Sequence, residues 1–180
     1  NETTTLLTDT ANRIFADHCT RQCLEAAEAG TWPQALWDAV TETGLLSAAV
    51  SEERGGAGVP FLDLLTLARA LGYQAAPIPL VETWLAEIVL AKAKLPSIGG
   101  PLTIGPVLRR DAIRLERRAA GWQLSGIMKR VPWGRNAQAF VVIAESDDGF
   151  RTVVARDLKV NKEAWNYARE PRDEIRFDRH

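Results

Sequence analysis

Hydrophobic positions recur at two different spacings along the chain. In the first half they fall three or four residues apart, the period of a helix with one buried face. Leu7, Ile14, Leu24 and Ala27 mark the apolar side of an opening helix that closes at Gly30. "TWPQALWDAVTETG" follows, with Thr31 as a cap, Pro33 in the first turn, Leu36, Trp37 and Val40 at helical spacing, and Gly44 at the C-terminus. "PFLDLLTLARALG" places Phe61, Leu64, Leu65, Ala68 and Leu71 on one stripe, with Gly72 as the stop. "PIPLVETWLAEIVLAKAKLP" gives a further helix carrying Leu80, Trp84, Ile88 and Val89 between prolines.

The period changes at "LPSIGGP", residues 95–101, where Pro and Gly cluster as at a domain boundary. Beyond it apolar residues alternate. "AIRLERRAAGWQLSG" reads as two strands around a turn at Ala120-Gly121. "AFVVIAESDDGFRTVVARD" reads as a hairpin turning at Asp147, Asp148 and Gly149, and "DEIRFD" as one more strand. The pattern predicts an α+β chain: an all-helical domain over residues 1–97, then an antiparallel, barrel-like β domain of six or seven strands over 98–180. The β pattern stops without a closing strand. Because natural proteins avoid open strand edges, it implies a fragment of a longer chain.

Composition narrows the function classes. The 180 residues are 46% hydrophobic and 25% charged, with a net charge of −1. That balance points to neither nucleic acid nor an anionic membrane surface. No segment approaches the ~18 uninterrupted apolar residues of a membrane span, and "NETTTLLTDTANRIF" lacks the basic start of a signal peptide. Cytoplasm is the expected location. Cys19 and Cys23 read as small apolar residues on one helix face. With only His18 and His180 to join them, a metal site lacks ligands.

Few catalytic patterns are visible. "VSEERGGAGVP", residues 50–60, carries a glycine pair, but "GGAG" has neither the spacing nor the preceding strand of a dinucleotide fingerprint. Glu52 and Glu53 are adjacent, so their carboxylates diverge, which suits a solvated turn better than paired acid/base chemistry. The run from Arg109-Arg110 to Arg117-Arg118 alternates with Leu108, Ile113 and Leu115, and a solvated strand face explains it better than a phosphate clamp. Six tryptophans are present. Trp37 and Trp84 fall on core stripes, and Trp122 begins a strand. Trp133 sits in "KRVPWGRNA", where the backbone bends beside Gly134. It either walls a planar ligand or covers one end of the barrel.

Two stretches, in order across the helix-to-strand change, resemble the acyl-CoA dehydrogenase family. "SAAVSEERGGAGVPFLDLLTLARALG" is similar to the family's P-E-x-x-G-G-x-G segment between two helices. "GWQLSGIMKRVPWGRNAQAFVVIAESDDG" is similar to its G-x-x-L-x-G-x-K strand, flavin-contacting turn and following hairpin. The resemblance implies oxidation of an acyl-CoA thioester to the 2,3-enoyl thioester with FAD as hydride acceptor, in lipid or steroid catabolism. It implies a homo- or hetero-oligomer assembled through a C-terminal helical domain, and electron-transfer flavoprotein as acceptor. The flavin turn falls on Arg130, Val131 and Pro132, with Trp133 beside it, and an earlier flavin-facing strand on Leu102, Thr103 and Ile104. Leu80 and Trp84 fall on the helix that lines the acyl pocket. The catalytic base of the family belongs to the C-terminal domain, so the 180 residues alone are expected to be inactive.

Departures from the family are specific. The Thr-Glu-Pro-x-x-Gly-Ser-Asp motif is absent, "LTIGPVLRRD" standing in its place. Pro132 occupies the position of a hydroxyl-bearing residue and has no N–H. Met128 stands where lysine is usual. Three readings follow: part of an active flavoenzyme, part of a flavin-poor partner subunit in a heteromeric member, or an unrelated binding module.

Overall fold

The computed structural model describes residues 2–119 and 121–178. Of the residues singled out above, Ala120 and His180 lie outside them. Five α-helices come first: α1 (Glu2–His18), α2 (Arg21–Glu28), α3 (Gln34–Glu42), α4 (Phe61–Tyr73) and α5 (Leu80–Lys92). Seven strands follow: β1 (Leu102–Gly105), β2 (Ile113–Arg118), β3 (Gly121–Pro132), β4 (Ala139–Ser146), β5 (Gly149–Arg156), β6 (Val160–Lys162) and β7 (Arg172–Phe177).

The opening helix is two helices. Thr20 adopts an extended backbone, and its side chain accepts the Cys23 N–H at 3.2 Å, so a capping bond breaks the periodic pattern. Thr31 is not the cap of α3; Pro33 holds that position without a side-chain bond. Gly72 does not stop α4, which runs to Tyr73. The left-handed residue after it is Ala75, at φ 49°. The buried face of α4 is Leu64, Leu67 and Ala70, while Phe61 and Leu65 face outward. Leucines on both faces of α4 hid its true stripe.

The helical core joins Ile14 and Phe15 of α1, Leu36, Trp37 and Val40 of α3, Leu67 of α4, and Leu80 and Trp84 of α5. Trp84 secures α5 by donating its indole N–H to the Leu45 carbonyl at 2.8 Å. The glycine pair explains itself at Gly56. A Cβ there would run into the carbonyl oxygens of Val50 and Ser47, because the turn folds back on the 47–50 segment.

The sheet is mixed rather than antiparallel. Its order is β1-β4-β2-β3-β7-β6, with β5 on the other edge of β4. β4 runs parallel to both β1 and β2, because the β2–β3 hairpin lies between β1 and β4 in sequence and returns the chain in its original direction. The expected hairpins β2–β3 and β4–β5 are present. One apolar layer contains Met128, Val131, Phe140 and Ile175. A second joins Ala86 and Leu90 of α5 to Leu102, Ala139 and Val141, so α5 packs directly on β1 and β4.

Candidate functional site

The residues expected on the flavin-facing strand and turn come together where β1 meets the end of β3. Thr83 of α5 fixes β1: its hydroxyl donates to the Pro79 carbonyl at 2.8 Å and accepts the Leu102 N–H at 3.1 Å. Leu102 therefore turns its main-chain groups away from β4, and Ile104, two residues on, turns the same way. Among the described residues β1 ends the sheet and pairs with β4 alone, so the main chain of Ile104 lies on an open edge. Thr103 faces the other way and donates its hydroxyl to the Pro132 carbonyl at 2.6 Å.

The turn after β3 is strained. Between Met128 and Val131 the register with β7 slips by one residue, a bulge that re-aims the strand. Arg130, in the bulge, has φ 55°, and Trp133, at the strand's end, has φ 53°. Left-handed backbone is costly for bulky residues, about 1–3 kcal/mol each, and such outliers cluster at functional sites. Arg130 is exposed, Val131 is fully buried and Pro132 is half-buried.

A buried ion pair holds this turn in place. Asp173 of β7 is fully buried and accepts the Arg135 main-chain N–H at 2.8 Å, its Nε at 3.1 Å and its Nη2 at 2.5 Å. Arg135 also reaches Glu163 at 2.9 Å and lies over the Trp165 ring at 4.3 Å. The hydrogen bonds to Asp173 hold the guanidinium firmly charged. These residues are 38 apart, and no local pattern in the sequence signals the pair. Glu82, in the first turn of α5, is a second residue that periodicity does not reveal. Burial raises its carboxyl above the ordinary range, and Arg172 partly offsets that.

The predicted residues differ in burial. Leu102 and Thr103 are fully buried, Ile104 half-buried, and Leu80 and Trp84 belong to the helical core. Trp133 is buried and lines a cleft of about 280 Å³ with Leu24, Ala27, Leu71 and Pro77, between α2, α4 and the sheet. Met128 is also buried and presses on Gly105, where a Cβ would meet its sulfur.

Fold and site together define an α+β protein whose last helix positions an open strand edge beside a strained turn. The family profile described as "Acyl-CoA dehydrogenase, N-terminal domain" matches residues 1–93. The chain belongs to the acyl-CoA dehydrogenase family, which removes the reading as an unrelated binding module. The curated relative acyl-CoA dehydrogenase FadE27 of Mycobacterium tuberculosis (strain ATCC 25618 / H37Rv) is 28% identical over 132 residues, covering 63% of this chain and 34% of the relative. A solved structure described as the Tcur3481-Tcur3483 steroid ACAD G363A variant is similar over 99% of this chain and 55% of that one, at 28% identity and a TM-score of 0.86. The ChsE4-ChsE5 complex from Mycobacterium tuberculosis shares the fold at 21% identity and a TM-score of 0.84, over 98% of this chain and 54% of that one. The chain thus spans about a third of the curated relative and about half of these solved chains.

Proposed function

We propose that this chain contributes the helical and β domains, residues 1–97 and 98–180, of an FAD-dependent acyl-CoA dehydrogenase. The open edge of β1 beside the strained turn at Arg130–Trp133 carries the proposal. That arrangement puts the main chain of Ile104 on a strand edge and the exposed Arg130 in the nearby turn, polar groups that suit the rim of a flavin ring. Ile104 would bind through its main chain, and Arg130 would answer a negative charge. Thr103 and Val131 would act from behind, fixing the two strands at their spacing. FAD supplies the hydride acceptor when bound. Leu80 and Trp84 would act from within the core, setting the position of the first turn of α5 at the acyl pocket.

Charge distribution supports polyanionic ligands on the β half. It holds 16 of the 22 Lys and Arg residues and 11 of the 23 acids, a surplus of five positive charges. That favours the phosphates of FAD and coenzyme A over a neutral ligand. The steroid description of the Tcur3481-Tcur3483 structure favours a bulky, steroid-like acyl group.

A second reading has its own observation. The Thr103 hydroxyl is committed to Pro132, and Pro132 offers no N–H, so the face is poor in donors. Two of the similar structures are named as pairs of unlike chains. This favours a subunit that completes an unlike partner's flavin site. The visible absorption spectrum of the protein, purified alone and with its co-expressed partner, separates the two. Flavin bound to the lone protein supports the active-enzyme reading, and flavin found only with the partner supports the second. No flavin in either preparation overturns both.

A further inference from the structure

A second cavity lies away from the residues discussed so far. It measures about 630 Å³, within the ~300–1,000 Å³ usual for small-molecule sites. None of the predicted flavin or acyl residues lines it. It forms where the 95–98 segment crosses beside β5 and the β2–β3 hairpin. That segment is pinned from two sides. Arg54 donates to the Leu95 carbonyl at 2.5 Å, and the buried Glu87 carboxylate accepts the N–H groups of Ile98 at 3.0 Å and Gly99 at 3.2 Å. The cavity is therefore built on fixed backbone.

Its walls are of two kinds. Leu95, Ile98, Leu115 and Val154 give an apolar floor. Trp122 adds an aromatic plane that is 53% exposed and is held by the cross-strand guanidinium of Arg117, 5.6 Å above the ring. At the rim stand Arg151 and Arg156. Arg151 is paired with Asp148. Among the described residues Arg156 and Arg117 take part in no ion pair. Among the described residues β5 pairs only with β4, so its other edge is free.

We propose that this cavity is a binding site for an amphipathic monoanion, a molecule with a rigid or extended apolar body and a single carboxylate or sulfonate. The body would lie on the apolar floor against Trp122, and Arg156 would take the acidic head. A neutral lipid would leave Arg156 without its counter-charge. A nucleotide or coenzyme A would bring several charges to a rim with one uncommitted guanidinium in its lining, and would gain little from the floor. The proposal is independent of whether flavin binds at β1.

The probe is 8-anilinonaphthalene-1-sulfonate, titrated into the purified protein in its native oligomeric state. The expected result is a saturable, single-equivalent fluorescence increase that dodecanoate displaces and dodecanol, at equal concentration, does not. Arg156→Gln should weaken the probe about tenfold, the scale of one charge-assisted bond, while Arg109→Gln should not. Circular dichroism of each variant checks that the fold is kept. Trp122→Phe should retain binding but reduce the energy transfer from tryptophan to probe. Absence of saturable binding overturns the site. So does equal affinity in Arg156→Gln, or displacement by coenzyme A in preference to dodecanoate. An unlike subunit that blocks the probe when bound would make the surface a protein interface and also overturn the proposal.

Discussion

Thr103 donates its hydroxyl to the carbonyl of Pro132 at 2.6 Å, tying the first strand of the sheet to the end of the third. No ladder joins β1 to β3, since β1 pairs with β4. The side chain therefore supplies a link that the sheet itself lacks. Thr103 is fully buried, so its hydroxyl has no water to turn to, whereas Pro132 is half-buried. Thr103→Val should lower stability by about 0.5–1.5 kcal/mol, the net contribution of one hydrogen bond. Urea denaturation checks this. An unchanged midpoint would mean that the bond contributes nothing net.

Pro132 yields a complementary test. Pro132→Thr restores a hydroxyl and an N–H at the position where the family resemblance expects them. If the donor-poor face limits flavin retention, the variant should hold flavin better, by up to about tenfold per restored bond. Equilibrium dialysis against FAD, with wild type in parallel, measures it. Equal retention would place the limit elsewhere in the site.

Much of this architecture is legible in the chain because periodicity reports burial. The α5 stripe at Leu80 and Trp84, the two hairpins and the change of period near residue 97 all follow from side chains that pack on near neighbours in sequence. Where neighbours compete, the pattern misleads. Thr20 breaks a continuous stripe with one capping bond, and α4 has leucines on both faces. Parallel pairing of β4 with β1 and β2 has no local signature, so the sheet reads as antiparallel from its hairpins alone. The candidate site residues Leu102–Ile104 and Arg130–Trp133 come from family resemblance. What positions them, Thr83, Arg135 and Asp173, is set by contacts 19 to 38 residues apart.

Gly56 and Gly55 look alike in sequence and differ in structure. A Cβ at Gly56 collides with two main-chain carbonyls, which cannot move without opening the turn. Gly55 has open space around it but sits at φ 84°. Gly56→Ala should cost about 2–4 kcal/mol, as overpacking against backbone does. Gly55→Ala should cost only the left-handed strain, about 1–2 kcal/mol. Thermal unfolding of the two variants side by side checks the order. Equal losses would mean that the collision relaxes at no cost.

Asp173→Asn removes the charge that four donors converge on. Arg135 is largely buried and would lose its counter-charge, a change that costs about 3–5 kcal/mol when one partner of a buried pair is removed. Because Arg135 also anchors Trp165 and the 133–136 turn, the fluorescence of Trp165 and Trp133 should change with stability. Replacing Glu163, the exposed partner, should change stability by less than about 1 kcal/mol.

Cys19 is buried between α1 and α2, and burial pushes its thiol up to about 12 from an ordinary 9.0, with Cys23 adding to the shift. In the unfolded chain the thiol loses its proton near 9, whereas in the folded protein it keeps it until about 12. Between those values the folded state binds the extra proton, so stability falls as pH rises through that window, and below it this group adds no slope. Cys19→Ala should flatten the alkaline loss relative to wild type, whatever other groups titrate, because those are common to both. Cys23, half-buried and shifted up by burial alone, should matter less. Denaturation midpoints below pH 9 and between 9 and 12 measure the difference. Parallel alkaline slopes for wild type and Cys19→Ala would show that the thiol ionises as freely in the folded protein as in the unfolded chain.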